Sequence, residues 1–317
     1  MVIPELDMPG HSAYFKRAFG FDMGSPQGMD VLEKLIGEFC DEFPAADCPY
    51  LHLGSDEVSI KDPQQFMARM LKTVRAQGRI PIVWQPRIKA DTQTVYQVWH
   101  DGPTVVETVR SGEKFLDSAG GYLNASDPLL LVQRYFFRQP CLQVKSYGRA
   151  LGGILCCWPD LRVADKENIF RYNPVWPGVL VFSQAVWHGV AKDQPQFLSL
   201  LPPGGSEAMR RFREFEDRMA FHRDHYFAGQ PFPFVKYSWI SWRVIGPFPR
   251  GTNEPGTFAF APERKIRESY RVGKTDLKWR EVWGGTVSLN AVFNRHPIST
   301  AYALTYFHTR AARKIHA

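Results

Sequence analysis

The stretch Tyr50-Leu51-His52-Leu53-Gly54-Ser55-Asp56-Glu57-Val58 joins a short apolar run to a Gly-Ser turn and two adjacent acids. In a parallel barrel, the position directly after a strand is the C-terminal rim, where active sites lie. Adjacent side chains on a regular strand point to opposite faces. Asp56 and Glu57 can therefore face one ligand only if Gly54 and Ser55 re-aim them.

Asp56 and Glu57 are also the strongest candidates for chemistry in the chain. Two carboxylates held close together titrate apart, so one is ionised and the other protonated near neutral pH. A general acid beside an orienting base needs this arrangement. The residues alone leave an alternative open, in which the pair is solvated and caps the following helix.

Short apolar runs alternate with helical patterns through roughly the first 200 residues. A helix is predicted over 29–43, another from Asp62 with Asp62 as N-cap and Gln65 completing a capping box, and a third over about 174–188. Strands separated by helices indicate a parallel sheet, and here they predict an α/β fold, part of a (β/α)₈ barrel. The predicted strands are Val2–Leu6, Tyr50–Leu53, Ile80–Trp84, Val95–Trp99, Lys114–Asp117 and Leu151–Cys157.

The character of the chain changes after a Pro/Gly break at 201–205. A helix is predicted from Ser206, and from about residue 232 prolines and glycines separate short aromatic and β-branched runs, which is typical of a small β-sandwich. The predicted domains are a partial barrel at 1–205, a connecting helix at 206–231 and a sandwich-like segment at 232–317. The predicted strands of that segment are Trp239–Ile245, Gly256–Phe260 and Thr300–Phe307.

Charge and composition exclude several classes of protein. The net charge of +7 is uneven, because residues 232–317 hold 14 Lys and Arg against 5 Asp and Glu, a net of +9, and the rest is slightly acidic. The basic residues are scattered among strand residues and match no nucleic-acid-binding motif, so we predict no nucleic-acid partner. No apolar stretch is long enough to span a membrane. Five irregularly spaced cysteines predict neither a disulfide framework nor a zinc site.

Two segments in the first quarter of the chain carry a resemblance to a known family. Residues 2–11, Val-Ile-Pro-Glu-Leu-Asp-Met-Pro-Gly-His, and residues 52–58 resemble two signatures of the β-N-acetylhexosaminidases, glycoside hydrolase family 20. Trp84, Trp99, Gly121-Tyr122-Leu123-Asn124 and Trp158-Pro159-Asp160 match later strand ends of the family in the same order. The resemblance covers about residues 1–190.

The resemblance implies removal of a terminal β-linked N-acetylhexosamine from a glycan by a retaining mechanism, in which the 2-acetamido oxygen of the substrate is the nucleophile. Glu57 would be the general acid and base, and Asp56 would orient the acetamido group. Tyr122 would hydrogen-bond the acetamido oxygen. The remaining implied roles are pocket walls for Trp84, Trp99 and Trp158, hydroxyl contacts for Asp160 and Asn124, and support of the acid site by His11, Asp7 and His52. No metal and no cofactor are implied.

Several departures from the family pattern bear on these expectations. Ser55 stands where glycine is commoner, Asp160 where glutamate is usual, and Asn124 where many members have aspartate. The 2–6 strand matches the third strand of the family barrel, so we expect the chain to be a fragment of a longer enzyme, or to be completed from elsewhere. Its last residues resemble the start of a sandwich domain found in some bacterial members.

Two rival interpretations remain open from the sequence. The first is a non-catalytic carbohydrate-binding relative, which the changes at Asp160 and Asn124 favour. The second is nucleic-acid binding through the basic last quarter, for which a solvated sandwich surface is the better account. The resemblance suggests a periplasmic or secreted full-length protein, while the sequence leaves the sugar epimer, the natural glycan and the oligomeric state undetermined.

Overall fold

The computed structural model describes residues 2–57, 60–85, 90–100, 112–124, 127–138, 140–141, 148–158, 164–188, 194–250, 260–294, 298–308 and 310–311. The chain divides into two compact units. The first contains residues 1–123 and 139–158, and the second contains 124–138 and 159–317. The predicted domain bounds at 205 and 231 stay a prediction.

The first unit is built on a five-stranded parallel sheet whose spatial order follows the chain order. Its strands are β1 (Tyr50–His52), β2 (Ile80–Gln85), β3 (Val95–Val98), β4 (Lys114–Asp117) and β5 (Ala150–Gly153). Parallel neighbours joined through helices are typical of α/β folds. The predicted α/β architecture is confirmed, and a sheet of this kind is consistent with part of a barrel.

The predicted strand at 2–6 is present as a shorter pairing. Glu5 forms an isolated parallel bridge with His52, and the N–H groups of Leu6 and Met8 donate to the carbonyl oxygens of His52 and Leu53, each at 2.8 Å. The segment therefore lies beside β1 and brings the first predicted signature next to the second.

Three helices in the first unit bury apolar faces: α1 (Ala13–Phe19), α2 (Pro26–Glu42) and α3 (Pro63–Ala76). The α2 helix begins with a Ser25 cap, whose side chain accepts from the Gly28 N–H at 3.0 Å, and with proline in its first turn. The α3 helix differs from its prediction, because Asp62 has a left-handed backbone and its side chain makes no capping hydrogen bond. The backbone carbonyl of Asp62 still accepts a hydrogen bond from the Phe66 N–H.

The second unit combines helices with two small antiparallel sheets. The helices are α4 (Pro128–Phe137), α5 (Ile169–Tyr172), α6 (Val175–His188), α7 (Glu207–His225), α8 (Ala261–Arg264) and α9 (Leu289–Phe293), with 3₁₀ turns at Lys166–Asn168 and Pro195–Phe197. A three-stranded sheet contains β10 (Ser299–Leu304), β6 (Ser241–Pro249) and β9 (Arg280–Trp283), and a two-stranded sheet contains β7 (Ser269–Val272) and β8 (Thr275–Lys278).

Apolar side chains from both small sheets share one core. Ile245 and Phe248 of β6 pack with Tyr270 of β7, and Leu277 and Tyr302 pack against this cluster. The predicted strand at Gly256–Phe260 lies largely outside the described residues, and Phe260 itself precedes the short helix α8. No described helix has the length and apolar character that crossing a lipid bilayer requires.

Candidate functional site

A tight turn follows β1 and carries the two predicted acids. Gly54, Ser55 and Glu57 all have positive φ, at +66°, +81° and +48°. A Cβ on Gly54 would lie 1.8 Å from Oδ1 of Asp7, so a larger residue cannot fit at this position while Asp7 stays in place. A Cβ on Gly10 would similarly lie 2.7 Å from the carbonyl oxygen of Asp56. The two predicted signatures are therefore in direct contact.

The turn aims Asp56 and Glu57 at the same imidazole. Nε2 of His11 lies 3.7 Å from Oδ2 of Asp56 and 3.9 Å from Oε2 of Glu57. The Asp56 side chain is 18% exposed and that of Glu57 58% exposed. Asp56 is thus held inside the turn, while Glu57 is open to a ligand. The turn at Gly54 and Ser55 directs both side chains to one side, as the sequence predicted for a pair that shares one ligand.

Asp7 lies beside this pair in a half-buried position. Burial and the charges of Asp56 and Glu5 together raise the pKa of Asp7 to about 6, against the opposing effects of His11 and of a hydrogen bond from the Ser55 backbone. Oδ1 of Asp7 and Oδ1 of Asp56 are both buried and have no hydrogen-bond partner among the described residues. The cluster therefore concentrates negative charge where little solvent reaches it.

Asp7, His11 and Asp56 are also the residues that could hold a metal ion. One donor atom from each lies within 4.8 Å of the others. Among the described residues, this is the one group of three or more His, Cys, Asp or Glu side chains that could hold an ion in this way. Mixed carboxylate and imidazole donors suit several divalent metals. The expectation that the protein uses no metal stays a prediction.

Glu5 connects two predicted residues, His52 and Trp84. The Trp84 Nε1–H donates to Oε1 of Glu5 at 2.8 Å, and Nδ1 of His52 lies 3.2 Å from the same oxygen. Glu5 is not among the site residues that the sequence predicted. The signal that could have found it is the alternation of Ile3, Glu5 and Asp7, which share one face of the extended segment.

A cavity of about 240 Å³ lies over the carboxyl ends of the central strands. Trp84 is buried in its wall, Trp158 is 44% exposed, and their ring centroids are 6.5 Å apart at 57°. Trp99 is not among the lining residues and stacks on His100 at 3.7 Å, with its indole N–H buried and unpartnered within the described part of the chain. The lining residues are Ile3, Glu5, His52, Ile82, Trp84, Gln97, Leu116, Ile154, Leu155, Cys156, Cys157 and Trp158.

Tyr122 lies in the electrostatic field of the two acids. It forms an isolated parallel bridge with Cys156, and burial raises its pKa, with further increases from Cys156, Asp56 and Glu57. The phenol is therefore a hydrogen-bond donor at neutral pH.

The two predicted hydroxyl contacts are placed differently. Asn124 belongs to the second compact unit, and its Oδ1 is buried without a partner among the described residues. Asp160 lies outside the described residues. A larger cavity of about 860 Å³ in the first unit, lined by the starts of α1, α2 and α3, contains none of the predicted site residues.

No family model matches the chain. Among curated proteins it is similar to β-hexosaminidase subunit A1 of Dictyostelium discoideum, with 22% identity over 238 residues that cover 59% of this chain and 43% of that protein. The chain thus spans less than half the length of this relative.

Solved structures of glycoside hydrolase family 20 share the fold. One is the exo-β-N-acetylglucosaminidase of Vibrio harveyi in complex with N-acetylglucosamine, with a TM-score of 0.54 and 16% identity over 71% of this chain and 42% of that one. Another is the β-N-acetylhexosaminidase of Streptomyces coelicolor A3(2), with a TM-score of 0.53 and 16% identity over 74% of this chain and 53% of that one. The predicted resemblance to this family and the partial-barrel fold are confirmed.

Proposed function

We propose that the protein carries the acid site of a β-N-acetylhexosaminidase and releases terminal β-linked N-acetylhexosamine from glycans. One observation carries this proposal: Asp56 and Glu57, adjacent in sequence, both face His11 at the end of a parallel strand. The similarity to a β-hexosaminidase supports the substrate class.

Glu57 acts as the general acid and then as the general base. Its exposed carboxyl group can reach a glycosidic oxygen in solvent, which the more buried Asp56 cannot do as easily. In the first step Glu57 protonates the leaving oxygen as the C1–O bond breaks and the acetamido oxygen bonds to C1. In the second step Glu57 takes a proton from the water that opens the cyclic intermediate and restores the acetamido group, so the anomeric configuration is retained.

Asp56 orients the internal nucleophile. Its Oδ1 is buried without a partner among the described residues, and Oδ2 faces His11. An acetamido N–H donated to Oδ1 would satisfy this oxygen, and the carboxylate charge would stabilise the positive charge that develops on the acetamido group.

Tyr122 and the aromatic walls restrict the acetamido group. Because Tyr122 keeps its proton, its hydroxyl can donate to the acetamido oxygen and direct that oxygen to C1. Trp84 and Trp158 line the cavity and present apolar ring surface to a group bound there. Pinning the group in this way raises its effective concentration at the reacting carbon. Wall contact by Trp99 and hydroxyl contacts by Asn124 and Asp160 stay predictions.

Hydrolysis of an aryl β-N-acetylglucosaminide tests the proposal. We expect turnover by the unaltered protein and a loss of about 10²–10⁴-fold in kcat for Glu57→Gln, with the melting temperature unchanged. Glu38→Gln, an exposed glutamate on α2, is the matched control and should keep full activity.

The substrate analogue that lacks the acetamido group, an aryl β-glucoside, separates the internal nucleophile from an enzyme nucleophile. It should be cleaved far more slowly, because it cannot form the cyclic intermediate. Sugar binding without any turnover would instead support a non-catalytic carbohydrate-binding relative and would contradict the proposed reaction.

A further inference from the structure

Glu5 joins three neighbouring chain segments through one carboxylate oxygen. It lies on the segment that pairs with β1, while His52 ends β1 and Trp84 lies on β2. Oε1 of Glu5 accepts from the Trp84 indole at 2.8 Å and lies 3.2 Å from Nδ1 of His52. The His52 and Trp84 rings also meet edge to face, with centroids 5.1 Å apart at 61°. The three side chains form one connected group.

His52 is the most enclosed member of this group, with 4% of its side chain exposed. The Gly54 N–H donates to the same Nδ1 at 3.0 Å, so this nitrogen either accepts from Gly54 or carries a proton for Glu5. Gly54 starts the turn that aims the acids. Because one nitrogen makes only one of these two bonds at a time, the tautomer of His52 decides whether its Nδ1 bonds to Glu5 or to the turn that carries Asp56 and Glu57.

The charge of Glu5 is maintained by its neighbours. Burial by itself raises the pKa of Glu5, but the hydrogen bond and charge of His52 and the hydrogen bond of Trp84 lower it on balance. A charged acceptor makes a stronger hydrogen bond than a neutral one. Among the described residues the Trp84 indole N–H bonds to Glu5 alone, so this bond decides how the ring turns about its side-chain torsions.

We infer that Glu5 is a positioning residue for the reaction: it fixes Trp84 as a wall of the 240 Å³ cavity and holds His52 under the turn that carries the acids. The expected effect on turnover rests on the proposed function, whereas the contacts of Glu5 with Trp84 and His52 do not depend on it. Glu5, His52 and Trp84 all line the cavity, so a different orientation of the Trp84 ring would change the shape of the cavity. In the proposed function this cavity receives the acetamido group, whose position would then change as well.

The first part of the test measures the geometry without any substrate. In protein labelled with ¹⁵N-tryptophan, the indole signal of Trp84 is identified by its loss in Trp84→Phe. In Glu5→Leu, whose side chain has no acceptor, we expect this signal to shift and its hydrogen exchange to quicken at least about tenfold. The other indole signals should stay in place and report that the variant is folded. An unchanged Trp84 signal would overturn the inference.

The second part measures turnover of the aryl N-acetylglucosaminide. Glu5→Leu and Trp84→Phe should each lower kcat about 10- to 100-fold with a smaller change in KM, because the wall acts on the bound substrate. The double variant should be little worse than either single one, since both changes remove the same contact. Wild-type rates in Glu5→Leu, or fully additive losses, would contradict the inference. If the unaltered protein neither binds nor cleaves the sugar, the proposed function fails, and the Trp84 signal still decides the role of Glu5.

Discussion

The partly buried carboxylate of Asp56 in the first compact unit and the buried carboxylate of Glu216 in the second have opposite hydrogen-bond surroundings. Glu216 accepts from the N–H groups of Tyr237 at 2.8 Å and Ser238 at 3.3 Å, and from the Ser238 hydroxyl. Oδ1 of Asp56 has no partner among the described residues. Because almost all buried polar atoms in native proteins have a hydrogen-bond partner, a buried oxygen without one indicates a position that serves something other than stability.

The same contrast extends to the surroundings of each acid. Around Asp56, the buried atoms with no partner among the described residues include Oδ1 of Asp7, Nε2 of His52 and Oγ of Ser55. Around Glu216 every contact is to backbone or side-chain donors that follow α7 along the chain. We therefore expect changes at the first acid to act on activity and changes at the second to act on stability.

Among the changes that test this contrast, the largest effect is expected for Asp56→Asn. The neutral amide cannot stabilise positive charge on the acetamido group, so kcat/KM should fall about 10²–10³-fold. The free energy of unfolding should stay the same or increase, because the charge that opposes Asp7 is removed. Steady-state kinetics and urea unfolding check both halves. A large loss of stability would show that Asp56, like Glu216, is a structural acid.

Glu216→Leu should give the reverse pattern. Leucine cannot accept from the N–H groups of Tyr237 and Ser238, so these donors lose their partner and the free energy of unfolding should fall by at least about 1–3 kcal/mol. Activity per folded molecule should be unchanged. Urea unfolding measures the first quantity and active-site titration with a tight inhibitor measures the second. Loss of activity in a fully folded variant would break the contrast between the two acids.

The pH dependence of stability sharpens the contrast at Asp7. With a folded-state pKa near 6, above its ordinary 3.8, the folded protein holds more protons on Asp7 than the unfolded chain does between these values. The free energy of unfolding should therefore decrease as the pH rises from about 4 to about 6. Asp7→Asn should remove this part of the slope. An identical slope in the variant would mean that Asp7 titrates normally.

The smallest effect is expected for Ser55→Gly. Ser55 has φ of +81°, a backbone conformation that costs a non-glycine residue about 1 kcal/mol. Glycine removes this cost in the folded state, but it also makes the unfolded chain more flexible, which offsets part of the gain in stability. The net change should be under about 1 kcal/mol in either thermal or urea unfolding. Gly54→Ala is the matched comparison, and it should be clearly destabilising because its Cβ meets Asp7.

The regular elements were the part of the fold most accessible from sequence. The strand at Lys114–Asp117 has the predicted bounds, and the helices predicted at 29–43 and 174–188 lie at Pro26–Glu42 and Val175–His188. The spacing of apolar residues and their proportion in a segment indicate these elements from the local sequence alone. The Asp62 cap was wrong because its backbone adopts a left-handed conformation, which the capping pattern does not encode.

The site was partly accessible for a different reason. Motif order placed Asp7, His11, Asp56 and Glu57 together, and the structure brings them into contact. Glu5 was missed, because its role depends on contacts with Trp84, 79 residues away in sequence. The left-handed turn at Gly54 could be anticipated from its composition, but its close approach to Asp7 arises only from the tertiary fold.

The contact between Gly54 and Asp7 also limits how this site can be redesigned. A Cβ 1.8 Å from a carboxylate oxygen means that positions 7 and 54 cannot be varied independently. A library randomised at 54 alone should return almost only glycine. One randomised at both positions should admit alanine or asparagine at 54 only beside a shorter residue at 7, and those clones would carry a different charge next to the acids. Gly54, which leaves room for Asp7 beside the turn, therefore also restricts which mutations can change the charge next to the acids.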